Sequence, residues 1–362
     1  MSSSERKGTR ISAQSCAGFT TEPAAVQSRD LDKPAASEIA VPSSITGNIL
    51  RFHTPIRLSE LLARAACQEP ASSPTFGRWL QLALLVLASR RGASRESDLA
   101  QLSRLRDIQE SRRSLSSTAD LLALAFEIDA RNKGLREATA YAGGPTSSQA
   151  HLIYTPHSAI GPLFEDLAKC SAMPDPGVDG GAATSITMFF CTHLHPFIDG
   201  NGRWSRIVAL SMGAKSSFPA ALGALIYQQS ILHGSANDVW EDVRRFGLRT
   251  YLDRSSRYVK HLCQDLLGAE MEAVAEALGQ AIVARSRNPS HAKSVFARLL
   301  LGPVSVASLK KDLGLSERSA LGLLNDLTSR NGSLVRVDAH SVSARQFIDE
   351  LAKLSENSLQ HL

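Results

Sequence analysis

Apolar residues recur at helical spacing over most of the chain. In LSELLARAAC, Leu58, Leu61, Leu62 and Ala65 fall on one face, the three- and four-residue rhythm that buries one stripe of a helix. FGRWLQLALLVLASRR and SSTADLLALAFEIDAR repeat the habit, with basic residues near their C-terminal ends, where they complement the helix dipole. The rhythm begins at about Ile45. LREATAYAGGPTSSQAHLIYTP departs from it. Gly143, Gly144 and Pro145 break the run, and AHLIYT reads as a short extended strand. HSAIGPLFEDLAKC is helical again, and the loop MPDPGVDGGA leads to ATSITMFFCTHL, in which Ile186, Phe189, Phe190 and His193 share a face. RWSRIVALSMGA predicts a further helix with Ile207, Val208 and Leu210 apolar. The pattern predicts a mainly α chain with at most one small hairpin before residue 285.

After ARSRNPSH, a linker with Pro289 as its break, the rhythm changes. AKSVFARLLL is an amphipathic helix. SVASLKKDLGLSERSALGLLNDLTSR gives helix, turn at Gly314-Leu315-Ser316, and helix, with Leu309, Leu313, Leu321 and Leu324 as the apolar stripe and Ser316 as an N-cap. NGSLVRVDAHSV, with Leu334, Val335 and Val337, reads as a hairpin or wing.

Composition narrows the class without deciding it. Residues 1–40 are rich in Ser, Ala and charge with no steady apolar period. They predict disorder, either a plain tail or the unfolded leader of an exported effector. The N-terminus has no apolar segment of the secretory kind. The longest apolar run, Trp79 to Ala88, is about half of a bilayer span and predicts a buried helix. Cys16, Cys67, Cys170, Cys191 and Cys263 form no CxxC pair and no metal-spaced cluster, which fits reduced thiols in the cytoplasm. A net charge of +5 favours anionic partners only weakly.

The chemistry concentrates in HPFIDGNGRWSR, residues 195–206. Gly200 and Gly202 let the backbone take positive φ and approach a ligand closely. A helical pattern follows, so the loop ends at a helix N-terminus, where free N–H groups and the dipole attract anions. Arg203 and Arg206, three apart, project from one side of that first turn and suit a polyphosphate. Asp199 beside them repels phosphate unless a cation lies between, which makes it a natural Mg²⁺ ligand. His195, titrating near neutrality when unperturbed, is able to take a proton from a hydroxyl. Phe197 points into the core and pins the loop. Singly, each feature has a plainer reading: a structural histidine, an ordinary turn, a solvated arginine pair. Together and in order they describe a phosphate-handling site.

The stretch resembles the signature of Fic proteins, His-x-Phe-x-Asp/Glu-Gly-Asn-Gly-Arg-x-x-Arg, at every fixed position. The resemblance implies a Fic/Fido helical core with a small β-hairpin flap, and a protein adenylyltransferase that moves AMP from ATP to a hydroxyl of a target protein and releases pyrophosphate. By that resemblance His195 is the general base and Asp199 holds Mg²⁺. Gly200, Asn201 and Gly202 form the anion hole, and Arg203 and Arg206 grip the outer phosphates. GLREATAYAGG followed by AHLIYTP is similar to the family's lead-in to its flap, which docks a target by strand addition. The flap is expected at Ile153, Tyr154, Thr155, Pro156 and His157. LLALAFEID lacks the family's usual histidine. The implied division is a tail (1–40), an N-terminal helical region (41–115), the catalytic core (116–265), a helix and linker (266–290), and a C-terminal module (291–362) that resembles a winged helix-turn-helix.

Many Fic proteins silence themselves with a helix of pattern Ser/Thr-x-x-x-Glu-Gly/Asn, whose Glu pairs with the second motif arginine. PSSITGN, 42–48, resembles it at Ile45, Gly47 and Asn48, but Thr46 stands at the Glu position and Pro42 at the Ser/Thr. It is either a decayed inhibitory helix or an accidental helix start. In both cases the expectation is an enzyme not restrained by an intramolecular Glu. The C-terminal module carries nine basic and seven acidic residues over 291–362. Its recognition-helix candidates, Glu317, Arg318, Asn325, Asp326 and Arg330, nearly cancel, so a protein-docking or dimerisation role competes with DNA binding. Two alternatives stay open: a Fic-fold transferase of UMP, phosphocholine or phosphate, and a non-catalytic nucleotide-sensing DNA-bound regulator.

Overall fold

A computed structural model describes residues 38–42, 49–53, 57–66, 75–89, 95–111, 115–142, 144–150, 152–231, 237–266, 268–286, 288–328 and 335–360. The protein is mainly helical. Two strands, β1 (Glu38–Pro42) and β2 (Ile49–His53), pair antiparallel with Pro42 opposite Ile49. Then come α1 (Leu58–Ala65), α2 (Arg78–Ser89), α3 (Arg95–Ser111) and α4 (Thr118–Ile128). A second pair, β3 (Tyr141–Ala142) and β4 (Leu152–Ile153), precedes α5 (His157–Ala172), α6 (Gly180–Leu194), α7 (Asn201–Gly213), α8 (Phe218–Ile231) and α9 (Asn237–Lys260). The C-terminal part is α10 (Ala269–Arg285), α11 (Pro289–Leu301), β5 (Val304–Ser305), α12 (Val306–Leu313), α13 (Glu317–Thr328), β6 (Val335–Asp338), β7 (Ser341–Ser343) and α14 (Arg345–Gln360), with strand order β5-β7-β6.

The predicted helices form where the periodicity places them. Leu58, Leu61, Leu62 and Ala65 are all buried on α1, and α2 is the buried helix expected of the Trp79–Ala88 run. A capping box starts α4: the Ser117 side chain accepts from the Asp120 N–H while the Asp120 carboxylate accepts from the Ser117 N–H. Such a pair is worth about 1 kcal/mol. Ser305 and Ser308 make the same reciprocal cap on α12, which Gly314 ends in the left-handed region at φ 62°. The Ser316 hydroxyl accepts from the Ser319 N–H, as an N-cap does. Among the described residues no helix is long and apolar enough to cross a membrane.

Three expectations are corrected. The helical run expected from about Ile45 is not helical at Ile49–His53, which is the strand β2; Ile, Leu and Phe at 49, 50 and 52 favour extended backbone as readily as helix. Two small strand pairs, rather than at most one, therefore lie before residue 285. Pro289 does not break the chain but opens α11, where a missing N–H costs no helical bond. Residues 1–37 and 43–48, including Thr46, lie outside the described residues, as do Leu334 and Arg330. Pro42, taken as part of the 42–48 helix, belongs to β1.

Helix α6 is the centre of the core. It packs on α7, α8 and α9, and Ile186, Phe189, Phe190 and His193 are all buried. Its neighbour α7 returns antiparallel, and the two helices meet through glycine. A Cβ on Gly213 would lie 2.0 Å from the Thr184 hydroxyl and 2.2 Å from the Gly180 carbonyl oxygen. The close approach fixes the far end of the pair, so the near end, the turn at 195–200, is placed by a rigid lever.

Gly213→Ala is therefore expected to destabilise by about 1–3 kcal/mol through overpacking. Gly322→Ala, on α13 where a Cβ meets nothing within 4 Å, is expected to stabilise by up to about 1 kcal/mol. Thermal or denaturant unfolding checks both, and equal effects would contradict the packing.

Candidate active site

The chain reverses between α6 and α7 through His195. Its backbone is left-handed at φ 45° and ψ 57°, the one positive φ outside glycine among the described residues. Gly200 is left-handed too, at φ 74°, and serves as the N-cap of α7 without any side-chain cap. Its missing Cβ matters, since one would lie 2.9 Å from the Ile128 side chain. The first N–H groups of α7 have no intrahelical acceptors. They face the loop with the positive end of the helix dipole behind them.

The loop is braced from below. Phe197 is buried, edge-on to Trp204 at 5.0 Å and to Phe164 at 5.9 Å between ring centroids. The Trp204 indole N–H donates to the Leu121 carbonyl at 3.1 Å. Phe197 thus pins the loop as its sequence position predicts. The Asn201 side chain is used internally. Its Oδ1 accepts from the Phe197 N–H at 2.9 Å and its Nδ2 donates to the Phe197 carbonyl at 2.8 Å. Asn201 therefore shapes the turn, leaving backbone N–H groups and arginines to face an anion.

The segment after α4 clasps the loop from the side. The Asn132 amide donates to the Asp199 carbonyl at 2.9 Å, and the Arg136 N–H donates to the Pro196 carbonyl at 2.9 Å. Arg131 bridges two carboxylates, donating at 2.6 Å to Asp129 and at 2.6 Å to Asp199. Hydrogen bonds from Arg131 pull the Asp129 carboxyl down to about 2. Asp199, the expected metal ligand, has a side chain that is 55% exposed and already shares this guanidinium. No group of three or more His, Cys, Asp or Glu that could hold a metal occurs among the described residues. One accessible carboxylate fits Mg²⁺ carried with phosphate oxygens, which needs only one or two protein carboxylates. It does not fit an all-protein cage.

Arg136 is the group that sequence reasoning missed. It is buried, and its guanidinium donates to carbonyls only: His195 at 2.7 Å, Ala138, Thr155 and, more distantly, Leu194. Leu194 and His195 end α6, so the cation lies at the negative end of that dipole. Burial pulls its pKa down to about 10. Thr155 is fastened as well, its N–H and hydroxyl both donating to the His193 carbonyl at 3.3 and 3.0 Å. Of the expected flap residues, Ile153 ends β4, and Ile153, Tyr154 and Thr155 are buried. Pro156 caps α5, and His157 is its exposed first residue. The Tyr154 ring stacks on the His195 imidazole, with centroids 3.8 Å apart and planes 16° apart.

The two motif arginines are held differently. Arg203 is half-buried and reaches the Ile128 carbonyl at 3.4 Å. Arg206 is buried, and its Nη2 donates to the Gln101 amide oxygen on α3 at 2.8 Å. Gln101 stands in Ser97-Asp98-Leu99-Ala100-Gln101. This is the Ser/Thr-x-x-x-Glu spacing sought at Thr46, with an amide in place of the acid and Leu102 in place of Gly/Asn. A search for Gln as well as Glu at the fifth position would have found it.

No protein-family model matches the chain, and no curated protein matches it.

Burial, and next the nearby Arg136 charge, push the His195 imidazolium pKa down to about 3. The half-buried residue has Tyr154 over one ring face, so the neutral ring is favoured. The folded value lies below the unfolded one, so the unfolded chain binds more protons in between. Stability conferred by neutral His195 is present above about pH 6.5 and is lost as pH falls toward 3. Histidine NMR is expected to show His195 neutral from pH 8 to pH 5. Unfolding at falling pH is expected to be less steep in His195→Gln than in the native chain. A His195 resonance titrating near 6.5 would contradict this burial.

Proposed function

We propose that the protein is a Fic-type protein adenylyltransferase that uses ATP with Mg²⁺. The observation that carries the reading is the juxtaposition of the His195 imidazole with a helix N-terminus that has no side-chain cap and two arginines within one turn of chain. Mere nucleotide sensing needs the phosphate grip but no base.

In this reading the triphosphate lies against the first N–H groups of α7, with Arg203 and Arg206 on its outer oxygens. Each charge-assisted bond is worth about 1.5–3 kcal/mol. The His195 ring accepts the proton of a target hydroxyl. The freed oxygen bonds to the α-phosphorus of ATP while the bond from that phosphorus to the bridging oxygen breaks, and pyrophosphate leaves. Mg²⁺, held by Asp199 together with phosphate oxygens, would neutralise charge on the leaving group. A base with a pKa of about 3 is weak. The arriving phosphate charge favours the imidazolium and raises that value when it is needed. The β3–β4 pair is read as the flap against which a target segment docks, with Arg136 holding its exit strand to the catalytic turn.

Gln101 on Arg206 is read as a neutral counterpart of the inhibitory Glu. An amide gives the guanidinium a hydrogen bond but no compensating charge, so phosphate remains the better partner. The order helix, strand, helix, helix and two-stranded wing over α11 to β7 is that of a winged helix-turn-helix. Its α13 has Glu317 paired with Lys310 at 3.2 Å, which favours protein docking over DNA. Steeply salt-dependent DNA retention in a filter assay would reverse that preference.

Incubation with ATP labelled at the α-phosphate is expected to label protein, and the γ-label is expected not to. Mass spectrometry should find an added AMP. His195→Ala should lower the rate about 10²–10⁴-fold, the span of general-base assistance. Label from the γ-phosphate, or transfer unchanged in His195→Ala, would overturn the reading. Gln101→Glu is expected to slow transfer by pairing with Arg206; an unaltered rate would dissociate α3 from regulation.

A further inference from the structure

A cavity of about 160 Å³ lies between α2 and α3 on one side and α11 and α12 on the other, away from the turn at 195–206. Its apolar wall is Leu82, Leu99, Leu102, Leu309 and Leu313. It is about as large as an apolar cavity of 150 Å³ that takes up benzene. It is not purely apolar, however. Arg106 and Arg298 also line it, with Asp312. Arg298 gives one nitrogen, Nη2, to Asp312 at 3.0 Å. Its Nε and Nη1, and the Nε of Arg106, are buried and hydrogen-bond to nothing among the described residues. Buried N–H donors without acceptors are costly, and each calls for an explanation such as a missing partner. Asp312 at 3.0 Å and Asp107 at 3.9 Å each engage only the Nη2 of one arginine, so the buried donors that remain call for an acceptor, and an anionic one makes the stronger bond.

From the volume, the leucine wall and the unsatisfied guanidinium donors we infer that this cavity binds a small carboxylate with a short apolar tail. The carboxylate meets Arg298 and Arg106, and the tail fills the leucine pocket. Asp312 keeps Arg298 in place from the other side of its fork. The cavity has one further consequence. Leu102, on its wall, adjoins Gln101, which holds Arg206, so an occupant braces the helix that touches the catalytic cluster. Binding itself stands apart from the transferase reading and would survive its failure.

The test is calorimetric titration of the full chain with hexanoate and, in parallel, with hexanol. Hexanoate is expected to bind saturably at one site. Hexanol, which lacks the charge, is expected to bind about 10- to 100-fold more weakly, the loss of one or two charge-assisted bonds. Leu102→Trp, which fills the cavity, should abolish hexanoate binding. Arg106→Met, which breaks only the long 3.9 Å pair with the part-exposed Asp107, should weaken hexanoate but not hexanol. Arg298→Met combined with Asp312→Leu, which strands no charge, should do the same more strongly. Absence of saturable hexanoate binding, equal affinity for acid and alcohol, or hexanoate binding unchanged in Leu102→Trp would each overturn the inference.

Discussion

The site depends on one buried cation. Among the described residues Arg136 has no carboxylate partner; its donors meet backbone carbonyls, those of His195 at the end of α6 and of Ala138 and Thr155 on either side of the β3–β4 pair. A helix C-terminus leaves carbonyls without intrahelical donors, and here they are needed at a sharp left-handed reversal. The guanidinium gathers them and at the same time ties down Thr155. Tyr154, the residue before, is thereby held over the His195 ring. One side chain thus couples the conformation of the reversal, the position of the β3–β4 pair and the protonation state of the histidine.

The electrostatics of the turn follow the same economy. The positive elements, the α7 N-terminus with Arg203 and Arg206, lie on the C-terminal side of the turn. The acids Asp129 and Asp199 share the single charge of Arg131, so one of their two negative charges is balanced within the protein. Asn201 spends its amide on the Phe197 backbone. The aromatic trio Phe164, Phe197 and Trp204 anchors the whole turn to the core without using a polar group that the chemistry needs. Rigidity comes from the apolar side, and the charged side chains are not spent on it.

What the sequence makes legible is local. Helix periodicity finds α1, α2, α5, α6 and α7, because each buries a stripe of its own residues and little else decides its form. Turn chemistry finds Gly314 and Ser316. The motif lies within twelve residues, 195–206, so its order alone carries its chemistry. What escapes is long-range. Arg136 meets residues 19 and 59 positions away, and Gln101 meets Arg206 at a separation of 105. Neither partnership leaves a periodic trace. The β1–β2 pair escapes for another reason: a short mixed segment such as ILRFH fits a strand or a helix end equally until its partner is known. The local pattern points to Thr46 because Gly47 and Asn48 follow it, whereas the fold brings Gln101, followed by Leu102, to the arginine.

The central claim is that the reversal between α6 and α7 cradles a magnesium-bound triphosphate beside a proton-accepting imidazole. A crystal structure of the protein with a non-hydrolysable ATP analogue and Mg²⁺ tests it most directly. The account predicts phosphate oxygens within about 2.7–3.2 Å of the Gly202 and Arg203 N–H groups and of the Arg206 guanidinium, with a His195 ring nitrogen open toward the α-phosphate. A nucleotide bound elsewhere, or a His195 ring sealed off from the α-phosphate with the nucleotide in place, would contradict it.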